Sequence, residues 1–342
     1  MKRKIILPLI VATTIALALA GCTKTTTTTK ESESTTTTNE QAVSYPISLE
    51  VSDNEGNKYT ETFNEAPTKV ITNNQSSLEL LLKLGLQDSI IGTIALDNEI
   101  PEELKDAFSN INVITESKTE PAKEVIVGMS PDLVIGRAAT FIEDKYGTIE
   151  SLNSMNINVY TQLASLMNGE QSLDNIFEDI KNVGKIFNVE DKANDLATEL
   201  SESLKSVEDK VSTVEGETLK VLVMTAYNDG SYNVFGANST LQNEVLEVLG
   251  GTNVNEKGGA QSLENLMSLN PDVILYVYNN KNLETDSVAV ESLYNNSLIQ
   301  SVSAIENKKV FEVSYTEFMG YGYRTIECIE NLAKEMYPDL FN

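Results

Sequence analysis

The sequence predicts an α/β protein of two Rossmann-like lobes, each built on a parallel sheet, joined by a single long spine helix. Three observations predict it. Short β-branched runs alternate with helical patterns, as βαβ units on parallel sheets do. One compound motif occurs twice, with its two copies 140 residues apart. Between those copies, residues 173–211 are helical in pattern and broken only near Asn188.

Taken in order, residues 47–51 and 59–63 read as an N-terminal hairpin turning through Asp53-Asn54-Glu55-Gly56. Residues 69–72 are a strand, 76–84 a helix ended by Gly85, and 88–93 the next strand. Residues 124–129 form a helix leading into strand 133–135; 146–155 are helical and 158–161 a strand. An unbroken helix over 189–211 would be about 34 Å long at 1.5 Å per residue. Set between two groups of βαβ units, it reads as a spine. After Gly216 the alternation resumes: strand 220–225, helix 240–249 stopped by Gly250-Gly251, helix 262–269, strands 273–277 and 309–313, and a closing helix 322–336 halted by Pro338. The lobes are therefore expected at 45–172 and 216–342, with the spine region at 173–215.

The repeated motif runs from Glu124 to Ile135 and again from Glu264 to Leu275. In each copy a glutamate opens a short amphipathic helix, Pro-Asp follows seven residues later (Pro131-Asp132, Pro271-Asp272), and an apolar strand comes next. Proline cannot continue the helix, and an unbroken apolar strand is buried on both faces. Each glutamate thus occupies the same place on its own lobe.

The N-terminus sets an address. Lys2, Arg3 and Lys4 precede an apolar stretch from Ile5 to Ala20, which suits a signal h-region and is short for a membrane span. The stretch ends in Leu19-Ala20-Gly21-Cys22, which resembles the bacterial lipobox. That resemblance implies removal of residues 1–21 and a lipid on Cys22 that holds the chain to the outer face of the cytoplasmic membrane. Residues 23–44 are mostly Thr and Ser and are expected to form a disordered tether.

Composition excludes several functions. The chain has no histidine, so a Ser-His-Asp triad, a Cys-His pair and a His-rich zinc site are all ruled out, and neither catalysis nor a resident metal or cofactor is expected. Of its two cysteines, Cys22 is the expected lipid site and Cys328 falls in an apolar helical pattern, as a small buried hydrophobe does. The formal charge is −26, and −29 once the three basic residues of the signal segment are gone. Such a surface repels nucleic acid.

Lipobox, threonine tether, twin Glu-x6-Pro-Asp segments and a long central helix together resemble the substrate-binding lipoproteins of ATP-driven iron-siderophore, haem and cobalamin importers. The phrases Pro67-Thr68-Lys69-Val70-Ile71-Thr72, Leu84-Gly85-Leu86 and Glu335-Met336-Tyr337-Pro338 extend the resemblance over most of 45–342. It implies a monomeric receptor that holds its ligand in a shallow cleft between the lobes. It also implies that one glutamate per lobe docks on arginines of a permease dimer, and the matching positions are Glu124 and Glu264.

Ligands in open α/β sheets sit beyond the carboxyl ends of the strands. The loops expected there offer Asn73 and Asn74, Arg137, Tyr227, Tyr278 and Tyr315, with Tyr321, Tyr323 and Arg324 opening the last helix. Beyond the signal segment the only arginines are Arg137 and Arg324. A guanidinium suits an anionic, oxygen-rich ligand, and tyrosines suit a large amphipathic one. A ferric siderophore fits best, since its iron is already wrapped by the chelator and needs no protein ligand. Haem or cobalamin is the alternative within the class; an enzyme or an adhesive surface module are the readings outside it.

Overall fold

The hairpin forms as expected. β1 (Ile47–Ser52) pairs antiparallel with β2 (Lys58–Phe63), and the turn is held by Asp53, whose carboxylate accepts from the backbone N–H of Glu55 and Asn57. The computed structural model describes residues 45–115, 120–167, 171–228 and 230–342. The signal segment, Cys22 and the tether lie outside the described residues.

The first lobe follows in chain order as β3 (Val70–Thr72), α1 (Gln75–Lys83), β4 (Ile90–Ile94), α2 (Lys105–Phe108), β5 (Val113–Thr115), α3 (Lys123–Gly128), β6 (Leu133–Gly136), α4 (Ile149–Asn153) and β7 (Asn158–Thr161). Its five strands are all parallel, in the order β5-β4-β3-β6-β7. Every residue of β3 and β6 is buried, which explains why both read as unbroken apolar runs. The helix expected over 146–155 is shorter. Gly147 adopts φ +92°, and Thr148 then caps α4 by accepting from the N–H of Ser151.

α5 (Leu173–Ile186) and α6 (Glu190–Val211) connect the two sheets, and the break between them falls at Asn188, whose φ is +54°. Near the start of α6 the Lys192 ammonium donates to the carbonyl of Leu84 in the first lobe. At its other end Val211 lies beside Gly250 in the second.

The second lobe runs β8 (Leu219–Asn228), β9 (Ser231–Val234), α7 (Thr240–Val248), β10 (Gly251–Asn253), β11 (Gly259–Ser262), α8 (Leu263–Leu269), β12 (Val273–Tyr278), α9 (Leu283–Asp286), α10 (Ala289–Asn295), α11 (Ser303–Glu306), β13 (Val310–Ser314), α12 (Tyr315–Met319) and α13 (Arg324–Met336). This sheet corrects the expectation of a purely parallel one. β10, β12 and β13 are parallel additions around β8, but the far half of β8 pairs antiparallel with β9, and β9 with β11. The alternation along β8 and β12 sends Val221, Val223, Val273 and Leu275 into the main core, which both lobes share. It sends Leu222, Met224, Ile274 and Tyr276 into a separate outer core. Cys328 is buried in the main core, as expected, and burial pushes its thiol up.

The repeated motif has the same structural job in both lobes. Asp132 donates its N–H to the carbonyl of Lys69 and accepts from the N–H of Thr68 and Lys69, capping the start of β3. Asp272 donates to the carbonyl of Lys220 and accepts from the N–H of Lys220, capping the start of β8. The residue before each proline, Ser130 or Asn270, is left-handed, with φ of +51° or +42°. α3 and α8 therefore end at the amino ends of the strands, and their first turns lie toward the carboxyl ends.

Candidate functional site

Strand order reverses around β3 in the first lobe, with β4 on one side and β6 on the other. The crevice beyond the carboxyl ends of β3 and β6 is the topological switch point. Asn73 leaves β3 there and Arg137 leaves β6. A hollow of about 120 Å³ opens at this point between the lobes, lined by Asn73, Asn74, Asp97, Arg137, Lys281 and Tyr315. That volume has room for one polar group and not for a whole macrocycle or chelate. A larger hollow of about 450 Å³ lies at the opposite end, by Leu219 and Val273 at the amino ends of the strands.

Arg137 dominates the hollow. Its guanidinium carbon lies 5.7 Å from the ring centroid of Tyr315 and 5.4 Å from that of Tyr321, both from the second lobe. Among the described residues no carboxylate pairs with it, and its Nε is buried with no acceptor. Tyr321 carries φ +64°, a conformation that costs a non-glycine residue energy and clusters at functional sites. Burial raises its hydroxyl, and the Arg137 charge pulls it part of the way back.

The lobes are stitched together on both sides of the hollow. On one side Asp97 pairs with Lys281 at 3.0 Å and accepts from the N–H of Asn280, while the Asn98 amide donates to the carbonyl of Tyr278. The Gln75 carbonyl oxygen accepts from the N–H of Asp97 and from the Thr316 hydroxyl. On the other side the Gln162 amide donates to the carbonyl of Tyr321 and the Ser76 hydroxyl to that of Gly320. Below these, Arg324 bridges Glu79 of α1, at 3.1 Å, and Glu317 of α12.

The structure thus gathers Asn73, Asn74, Arg137 and Tyr315 and places three other candidates elsewhere. Tyr227 belongs to the outer core, where its hydroxyl accepts from Asn296; the strand alternation turns it from the hollow. Tyr278 packs against the same outer core. Arg324 is held by its two carboxylates and lines no part of the hollow. Gln75 directly follows the expected Asn73 and Asn74, whereas Gln162 and Lys281 were not expected. The only available signal for Lys281 was its place two residues beyond the loop after β12.

Glu124 and Glu264 are both exposed, in the first turns of α3 and α8. The Ser262 hydroxyl and the backbone N–H of Glu264 donate to its carboxylate and hold it below the usual carboxyl range, so it stays ionised. Both therefore stand toward the carboxyl ends of their sheets, the end that carries the hollow.

Burial raises several carboxyls, Glu79 and Asp179 furthest among the described residues. Burial pushes Glu79 up to about 7 against the pull of Arg324 and the Gln75 amide. Burial also pushes Asp179 up to about 7, although the N–H groups of Leu163 and Ala164 and the Tyr160 hydroxyl donate to it. Unfolded carboxyls titrate near 4, so between about pH 4 and 7 the folded state binds more protons and its stability falls as pH rises. The denaturant midpoint is expected to be higher at about pH 5.5 than at about pH 8, and Glu79→Gln to shrink the difference. A difference unchanged in the variant would remove Glu79 as its source.

Comparison with known proteins agrees with this geometry. The sequence profile of the periplasmic binding protein family matches residues 70–315. The chain is 25% identical over 302 residues to the ABC transporter substrate-binding lipoprotein YvrC of Bacillus subtilis, covering 87% of each chain. It is 25% identical over 286 residues to the petrobactin-binding protein YclQ of the same organism, covering 80% of this chain and 83% of that one. A periplasmic binding protein from Veillonella parvula superposes with a TM-score of 0.75 at 22% identity, over 88% of this chain and 94% of that one. With its two α/β lobes and interlobe hollow, the chain belongs to the periplasmic binding protein family, whose members bind solutes outside the cytoplasm and are not enzymes.

Proposed function

We propose that the protein captures a ferric siderophore at the mouth of the interlobe hollow and delivers it to the permease dimer of an ABC importer. One anionic or carbonyl-rich arm enters to meet Arg137, while the bulk of the chelate rests against Tyr315 and Tyr321. The lobes, 45–172 and 216–342, are joined by the helical spine region 173–215. Glu124 and Glu264 engage the two equivalent halves of the permease. Lipid on Cys22 anchors the monomer to the outer face of the cytoplasmic membrane, and residues 23–44 give it reach.

The observation that carries this reading is Arg137: a cation at the switch point, stacked between rings, with no acid paired to it among the described residues. Burying the Nε of a guanidinium without an acceptor is costly, and an oxygen-rich anionic ligand offsets that cost. The relative named as a petrobactin-binding protein supports the same class.

The test is a thermal-shift screen against ferric petrobactin, a ferric hydroxamate, haem and cobalamin, because a true ligand raises the melting point by mass action. A shift with a ferric siderophore is expected; a shift with haem or cobalamin alone would reassign the ligand. Arg137→Ala is expected to weaken siderophore binding at least about tenfold, roughly 1.4 kcal/mol. Unchanged affinity would remove Arg137 from the site.

A further inference from the structure

We propose that Asn73 is a positioning residue that aims Arg137, and that Gly136 is glycine to admit it; the proposal rests on the reading of Arg137 as a ligand contact. Asn73 is 1% exposed, and its side chain is committed to the turn after β6. Its Oδ1 accepts from the N–H of Arg137 at 2.7 Å. Its Nδ2 donates to the carbonyl of Arg137 at 3.3 Å and to the Thr140 hydroxyl at 2.5 Å. The Thr140 hydroxyl in turn donates to the same carbonyl at 2.8 Å.

One amide side chain therefore meets both backbone hydrogen-bonding groups of Arg137, sharing the carbonyl with the hydroxyl and N–H of Thr140. An amide is a peptide group in miniature, so Asn73 extends the pairing of β3 with β6 one step beyond the strand ends. Gly136 makes room for it. Gly136 has φ +152°, and a Cβ there would come within 1.8 Å of Asn73 Oδ1. Alanine is excluded twice over, by backbone conformation and by collision.

The following residue is pinned as well. The N–H of Ala138 donates to the Ser165 hydroxyl at 3.0 Å, on a loop that Asp179 holds through Leu163 and Ala164. Among the described residues the contacts recorded for the guanidinium are the faces of Tyr315 and Tyr321, and its buried Nε has no acceptor. The direction in which the side chain leaves the end of β6 is set by its backbone. A backbone fixed before binding removes part of the ordering cost of the complex.

NMR of the arginine side chains tests this without a ligand. The full chain contains only Arg3, Arg137 and Arg324, so their Nε–H resonances can be assigned by Arg137→Lys and Arg324→Lys. In Asn73→Ala the Arg137 resonance should leave its ring-shifted position for that of a free arginine, while Arg324 stays put. Asn73→Asp, which keeps the acceptor oxygen and loses both donations, should give a smaller move in the same direction and serves if the alanine variant does not fold. An Arg137 resonance unmoved in both variants overturns the proposal. So does an Arg324 resonance that moves equally, because Asn73 would then act through the whole fold.

With ferric petrobactin as probe, Asn73→Ala should match the affinity loss of Arg137→Ala within about twofold and add nothing to it in the double variant. Additive losses would again overturn the positioning role. Should Arg137→Ala alone leave petrobactin affinity unchanged, the ligand reading fails, and the resonances still decide whether Asn73 aims the side chain.

Discussion

Replacing Glu124 and Glu264 together by alanine is expected to leave siderophore affinity unchanged and to abolish uptake. Both side chains are exposed and neither lines the hollow, so their loss removes no ligand contact and leaves no buried partner unpaired. On the proposed reading, what is lost is the pair of charges that orients the loaded receptor on its two-fold partner. Charge complementarity of this kind sets register and encounter rate more than it adds raw affinity. Each single variant should therefore retain part of the transport rate, because one lobe still engages. The same repeat geometry that caps β3 and β8 with Asp132 and Asp272 fixes where the carboxylates stand. Weakened binding in the double variant, with transport per bound ligand intact, would place these residues in the ligand site instead. Binding by isothermal calorimetry and uptake of iron-labelled siderophore by cells separate the two outcomes.

Arg324→Ala is expected to be the most damaging single change to stability, by roughly 3–5 kcal/mol at about pH 8. Arg324 is the only cation paired with Glu79 among the described salt bridges, and the Glu79 side chain is 1% exposed. Removing it strands a carboxylate between the lobes, with Gln75 as its one remaining donor. Glu79 can escape the penalty by taking up a proton, which burial already favours. The loss should therefore be smaller at about pH 5.5 than at about pH 8. Glu79→Gln in the Arg324→Ala background should recover much of the difference, since a neutral amide needs no counter-charge. Chemical denaturation of the three variants at both pH values measures this; a loss that does not depend on pH would show that Arg324 acts through packing alone.

The parts of the fold legible in the sequence were those where burial selects the residue type. β3, β6 and β12 are buried almost throughout and rich in β-branched residues, and their runs stood out. The repeated Glu-x6-Pro-Asp segments were readable because the glutamate of the first helical turn, the proline stop and the aspartate strand cap all recur. β5, β9, β10 and β11 were missed. β5 is a run of only three residues, Val-Ile-Thr, and the others include residues such as Ser231, Gly251, Gly259 and Gln261, which carry no strand preference; β8 offers an edge to β9 and β10, and β9 to β11.

The site divided along the same line. Arg137 and Asn73 were found because a residue that leaves a central parallel strand has few places to go. Tyr227 was misplaced because one step of strand alternation decides between the hollow and the outer core. Gln75, Ser76 and Glu79 of α1 are buried against the second lobe, whose Thr316, Gly320 and Arg324 meet them some 240 residues later. No local pattern encodes contacts at that separation.

Site-specific photocrosslinking from positions 124 and 264 to the permease puts the two-fold account to its most direct test. Both positions should capture the same permease segment, one in each half of the dimer, and a single receptor carrying both probes should bridge the two. Capture of unrelated segments, or from one position only, would contradict it.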